Sequence, residues 1–173
     1  GALALLPDGG CIPRDYGDAR GMIVGRLDLD ALGQMAGALV RFHHETDPRR
    51  FMLSKGVEEG YRRWFRQELG NAAAMIRVAV GADGRVLGYT YARVEGRDWN
   101  MLLDEHIALH DIFVDPASRG ARVGESLMAA FVADVEARGN ARAVLHTMVS
   151  NERAQRLFAK YGFRPTMVEM TRG

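Results

Sequence analysis

The chain has 173 residues, 47% apolar and 26% charged, which suits one globular domain, because single hydrophobic cores grow to about 250 residues before they divide. Its 23 basic and 22 acidic side chains leave a formal charge of +1, which excludes the strong positive field on which general nucleic-acid binding rests. The single cysteine, Cys11, excludes an intramolecular disulfide and a multi-cysteine zinc cluster, and points to the reducing cytoplasm.

Gly1 to Leu6 is apolar without a basic leader or an initiator Met, so residues 1–18 are expected to be an extension or processed end of one domain spanning 1–173. No apolar run approaches the roughly 18 residues that cross a bilayer, since Gln34, Arg41, Arg77 and Arg93 interrupt the longest candidates. Met22 to Arg26 predicts a short strand. Asp28 or Asp30 is then an N-cap for Leu32, Met35, Ala36, Leu39 and Val40, whose three-four spacing predicts a helix to about His43. Val57, Tyr61, Trp64, Phe65 and Leu69 repeat the stripe, with Trp64 facing the core and Gly70 as the stop.

From Ala73 the period becomes two, with Ile76, Val78 and Val80 alternating with Arg77 and Ala79. Gly81-Ala82-Asp83-Gly84 turns this strand into a second, Val86 to Val94. After a polar turn at Glu95 to Asn100, Ile107 to Val114 predicts a third strand, apolar except for His110 and Asp111. Pro116 and Gly120 punctuate the chain before a helix carried by Val123, Leu127, Met128, Phe131, Val132 and Val135, ending at Gly139. Ala143 to Val149 reads as a strand. Asn151 caps a short helix with Ala154, Leu157, Phe158 and Tyr161 on one face and Gly162 as its stop, and Thr166 to Thr171 reads as a last strand. This order predicts a mixed α/β layer structure with one sheet, in which the helical crossover makes the strands at Val114 and Ala143 parallel neighbours.

Two segments carry chemistry. Ile112 to Gly124 is a strand running through an arginine- and glycine-bearing turn into a helix, an arrangement whose unpaired N–H groups favour a phosphate, and in particular a pyrophosphate. Asn151 to Phe163, one strand later, is a capped amphipathic helix with a glycine stop. Either alone is commonplace; together they are not.

The pair resembles the GNAT superfamily of N-acetyltransferases, closely over Ile107 to Phe163 and loosely over the whole element order. That family's turn pattern is Arg or Gln, two residues, Gly, one residue, then Gly or Ala. Arg119 and Gly124 match it, and Arg122 stands where the family has its middle glycine. The later pattern is matched by Asn151, Ala154, Phe158 and Tyr161-Gly162-Phe163. A first-turn helix residue with a side chain can take right-handed helical geometry and still offer its N–H, so binding is expected to survive at Arg122, whose side chain either contacts phosphate or projects into solvent.

The resemblance implies a single mixed, mostly antiparallel sheet with a splayed parallel strand pair and helices on both faces. It implies acetyl-CoA as co-substrate between the splayed strands, its pantetheine on the backbone of Ile112, Phe113 and Val114. The pyrophosphate would rest on the N–H groups of Gly120, Ala121, Arg122, Val123 and Gly124 beside Arg119. Asn151 would meet the pantetheine or cap its helix, and Phe158 belongs to the same matched set.

The implied reaction is direct attack of a primary amine of a small molecule or peptide on the thioester in a ternary complex, through an oxyanion that backbone N–H groups can stabilise. Deprotonating an alkylammonium of pKa near ~10 at pH 7 costs about 4 kcal/mol, so a base is needed. His110 is the first candidate, four residues before Val114 and on its face of a regular strand, with simple packing in the sheet as the alternative. Glu105 is the second. Tyr161 stands where the family commonly has its general acid, or else is a core aromatic with its hydroxyl on backbone.

His43, His44, Glu45, Asp47, Asp104 and Glu105 form either an acidic mouth or solvated loop charges. A metal reading of Asp104, Glu105, His106, His110 and Asp111 is set aside, because Asp111 points away from His110 on a regular strand. The rival class is a non-catalytic acyl-CoA-binding sensor or assembly domain, and a donor with a longer acyl group would share every motif. Homodimerisation through the terminal strands follows from the resemblance, and neither a nucleic-acid nor a membrane partner is expected.

Overall fold

Asp28 caps the first helix, accepting at Oδ1 from the N–H groups of Asp30 and Ala31. The computed structural model describes residues 28–139 and 141–172, so the strand expected at Met22 to Arg26 lies outside the described residues. Helix α1 (Leu29–Thr46) runs one turn past His43 because the N–H of Asp47 still reaches the His43 carbonyl. Helix α2 (Val57–Glu68) follows. The two approach closely where α1 carries glycine: a Cβ at Gly33 would lie 2.8 Å from the Glu58 carbonyl oxygen.

Four strands follow in the order β1 (Ala74–Val80), β2 (Val86–Glu95), β3 (His106–Val114) and β4 (Ala143–Leu145), the first three antiparallel and β4 parallel to β3. Helix α3 (Val123–Ala137) makes the crossover, and α4 (Glu152–Lys160) follows β4. Alternation buries both faces of the sheet. Val78, Tyr89, Tyr91 and Phe113 pack on Leu32, Ala36 and Phe65 of α1 and α2. Met75, Ala92, Ile107 and Leu109 pack on Met128, Phe131 and Phe158 of α3 and α4. Full burial of a side chain the size of Leu32, Val78, Ile107 or Phe131 contributes roughly 1.5–3 kcal/mol. The fold is therefore the mixed sheet with helices on both faces. No helix among the described residues is long and apolar enough to cross a membrane.

Three expectations are corrected. The strand expected from Ala143 to Val149 pairs only through Leu145, opposite Leu109. Beyond it the chain leaves the sheet and is held on α4: the Gln155 amide donates to the Met148 and Val149 carbonyls at 3.0 and 2.8 Å. The segment Thr166 to Thr171 forms no strand, because an extended chain becomes one only when a neighbour pairs with it. Arg50 instead ties this segment to the loop after α1, Nη2 standing 2.8 Å from Glu169 Oε2.

The third correction concerns β3. Ala92 pairs with Leu109 but Tyr91 with Asp111, leaving His110 as an extra residue in a β-bulge. One inserted residue reverses the pleat. Ile107 and Leu109 face α3, whereas after the bulge Ile112 and Val114 take that side and Phe113 faces α1. His110 and Val114 thus lie on opposite faces, and His110 and Asp111 turn to the same one.

Candidate active site

Because β3 and β4 part after Leu109 and Leu145, residues 110–114 have β2 on one edge and, among the described residues, no strand on the other. Their side chains are committed elsewhere: Phe113 lies in the α1-side core, and Ile112 and Val114 pack on Val123 and Leu127. What faces the gap is backbone, and buried backbone donors and acceptors without partners seek an extended polar chain.

At the end of β3 the Asp115 carboxylate caps a 3₁₀ turn (Pro116–Ser118), accepting from the Ala117 N–H at 3.2 Å. Gly120 then takes φ 93°, and Arg122 takes φ 61° and ψ 14°. This corrects the right-handed geometry expected of Arg122: the position is left-handed, which is why glycine suits it. Arg122 ends the turn without a side-chain cap, so the N–H groups of Val123 and the residues after it at the start of α3 lack intrahelical acceptors. Arg119, Gly120, Ala121 and Arg122 are exposed, and Arg122 Nε lies 3.1 Å from Glu125 Oε2. Lys160 also bonds Glu125, at 2.8 Å, and that bond is the main reason the Glu125 carboxyl is held below its usual range.

On α4, the Asn151 Oδ1 accepts from the Ala154 N–H at 3.1 Å, which is the capping role. Phe158 is 5% exposed and locks α4 onto Met128 and Phe131, so its side chain packs the wall instead of opening onto the gap. Tyr161 closes α4, half-buried, and its hydroxyl donates to the Glu125 carbonyl at 2.6 Å. Burial first, then the Glu125 charge, raises its phenol above the ordinary value.

On the other face of the sheet a cavity of about 720 Å³ opens between α2 and strands β2 and β3. The bulge delivers both His110 and Asp111 into its lining, with Tyr61, Trp64, Tyr91 and Glu95. Trp64, expected in the core, is 42% exposed here. The His110 ring stacks on Tyr91 at 5.4 Å, and its Nε2 lies 3.0 Å from Glu95 Oε1. Since a carboxylate only accepts, neutral His110 donates from Nε2 and keeps the Nδ1 lone pair free. Asp111 accepts the Tyr89 hydroxyl at Oδ2, 3.0 Å away; burial raises its carboxyl, partly offset by that bond and by His110. Burial, with the Asp111 charge, also pushes Tyr61 up to about 12.

A strand edge left open toward an uncapped helix start, with a polar cavity on the reverse of the same strand, is the decisive arrangement, and a family model described as the acetyltransferase (GNAT) family matches residues 35–163. The chain belongs to the GNAT family of acetyltransferases. A GCN5-related N-acetyltransferase from Ralstonia eutropha JMP134 is 25% identical, with a TM-score of 0.62 over 84% of this chain and 92% of its own. The tetramutant of the BH1408 protein from Bacillus halodurans is 16% identical, with a TM-score of 0.70 over 83% of this chain and 92% of its own. A predicted acetyltransferase with acetyl-CoA from Clostridium acetobutylicum is 13% identical, with a TM-score of 0.61 over 84% and 92%. No curated protein matches the chain in sequence.

In this GNAT chain the polar groups gathered around the bulge differ from those chosen by sequence. Glu105 is exposed before β3, its N–H bonded to Asp104, and five residues of strand put it about 16 Å from His110. Glu95 and Asp111 take its place. Sequence reasoning missed Glu95 because it was read as part of a turn, and Asp111 because a regular strand would turn it away; nothing local marks the bulge. Three of the loop charges are taken up locally: His44 Nδ1 contacts the Phe51 carbonyl, Asp47 caps Arg49 and Arg50, and Asp104 pairs with Arg97.

Proposed function

We propose that this acetyltransferase moves an acetyl group from acetyl-CoA to a primary amine of a small molecule or peptide, by direct attack in a ternary complex. The observation that carries the reading is the open β3 edge, which has the donor-side gap on one side of the sheet and the His110 cavity on the other. Bound acetyl-CoA supplies a thioester-activated acetyl group. The residues present fit it: the backbone of Ile112, Phe113 and Val114 would take its pantetheine as an added strand, and the N–H groups from Gly120 to Gly124, with Arg119, its pyrophosphate. That the Clostridium acetobutylicum neighbour is described with acetyl-CoA supports this choice of donor.

His110 is the base in this reading. Its Nδ1 accepts a proton from the amine, and Glu95 at Nε2 stabilises the imidazolium that results. Asp111 lies beside it in the cavity as a second acceptor. Tyr161 keeps its proton at neutral pH and returns one to the departing sulfur, exchanging its bond to the Glu125 carbonyl to do so. That same bond favours the rival reading, an acyl-CoA-binding module without turnover, because it occupies the hydroxyl.

Calorimetry with acetyl-CoA, followed by thiol release across a panel of amines, tests the assignment. Binding with amine-dependent release is expected, and Tyr161→Phe should lower turnover about 10- to 100-fold with CoA affinity unchanged within about two-fold. Binding without release on any amine, or equal turnover in Tyr161→Phe and the parent, sinks the catalytic part of the proposal.

A further inference from the structure

The lining of the cavity beside His110 has more cationic than anionic side chains. Its lining carries two carboxylates, Glu95 and Asp111, and three cations, Lys55, Arg63 and Arg93. The carboxylates are engaged, Glu95 by His110 at 3.0 Å and Asp111 by the Tyr89 hydroxyl at 3.0 Å. The cations are not well matched. Arg93 Nε is buried and makes no hydrogen bond among the described residues, and stands 4.0 Å from Glu95 Oε1. Among the described residues Arg63 pairs only with the exposed Glu59, at 3.7 Å. Lys55 is exposed and has no ion pair among the described residues.

Resting on the acetyltransferase reading, we infer that the acceptor is an amine that also bears an anionic group on an apolar, preferably aromatic, body. The amine faces His110 and Asp111, the anion faces Arg93, Lys55 and Arg63, and the body lies along Tyr61, Trp64 and Tyr91. The Arg93 side chain is 34% exposed, and the accessible part of a guanidinium pairs with a carboxylate or a phosphate. Aromatic faces supply apolar area to a flat body between the two charges. Polycationic acceptors are disfavoured by the same three cations. The cavity, about 720 Å³, is of small-molecule size, since such sites run from roughly 300 to 1,000 Å³. An aromatic amino acid is the simplest molecule of this description. In the transfer a C–N bond forms and the thioester C–S bond breaks; of the two protons the ammonium nitrogen loses, one is released to solvent and one is matched by the proton delivered to the sulfur, giving an amide and a thiol.

Calorimetry on the full chain, with and without CoA, tests the inference with paired probes: tyrosine against tyramine, phenylalanine against phenethylamine, phosphoethanolamine against ethanolamine, and spermidine. The anion-bearing member of at least one pair should bind about ten-fold tighter or more, a difference that one charge-assisted contact supplies, and which pair shows it names the anion. Spermidine should bind most weakly. Arg93→Gln should remove the preference, and Lys55→Gln, on an exposed loop, should weaken it about three-fold with an unchanged melting temperature. Equal affinity within every pair, tighter binding of the anion-free member, or no binding of any probe overturns the inference. The acetyltransferase reading fails separately, by absence of CoA binding or of thiol release with every amine.

Discussion

Arg122 shows what one residue costs and what it signals. Left-handed geometry costs a residue with a Cβ about 1 kcal/mol relative to glycine, and its ion pair to Glu125 is too exposed to repay that. Arg122→Gly should therefore raise stability by roughly 0.5–1 kcal/mol, read as a higher denaturant midpoint with an unchanged slope. Asp111 makes a prediction in pH. Burial raises its carboxyl in the folded chain above the unfolded value, so the stability linked to it is fully present below about pH 4 and is lost as pH rises through the folded pKa. Asp111→Asn keeps an acceptor for the Tyr89 hydroxyl and removes that loss. Its stability relative to the parent should be higher at pH 7 than at pH 3.5 in parallel denaturation curves; a difference independent of pH would refute the burial argument. At this scale the sequence was informative about identity and weak about orientation. It offered His110, Asn151 and Tyr161 as candidates, but it could not show that His110 leans on Glu95 or that Arg122 departs from right-handed geometry, since neither property resides in the residue itself.

Secondary-structure elements are held to each other by a few specific contacts. Arg77 of β1 and Asp134 of α3 form a buried pair, Nη2 to Oδ1 at 2.5 Å, with both side chains no more than 10% exposed. Asp134→Ala leaves a guanidinium buried without its partner and should cost about 3–5 kcal/mol, whereas the double change Arg77→Met, Asp134→Leu should recover most of it. Thermal or chemical denaturation of the three variants checks this, and a double variant as unstable as the single one would contradict it. Asn151→Ala should cost about 1 kcal/mol through loss of the α4 cap. The helices α1 to α4 were legible because each carries its apolar stripe within one continuous segment, with a side-chain cap at Asp28 of α1 and Asn151 of α4 and a glycine soon after the end of α2, α3 and α4. Strand ends were not. β4 stops at Leu145 although apolar residues resume at Met148 and Val149, and there the α4 side chain of Gln155 holds the chain off the sheet.

Across the molecule, one strand serves two faces of the sheet. β3 gives its open backbone edge to the gap beside β4 and, through the bulge, turns His110 and Asp111 into the cavity under α2. Amino-acid order by itself determined the order of elements from α1 to α4, the crossover that makes β3 and β4 parallel, the arginine-glycine turn into α3 and hence the family, because these depend on periodicity and on residues adjacent along the chain. Tertiary structure alone decided the bulge, the splay of β4, the partnership of His110 with Glu95 and the cations gathered around the cavity. Those features are set by pairing between segments far apart in sequence, where a one-residue difference in register reverses every side chain beyond it and no local pattern records the choice.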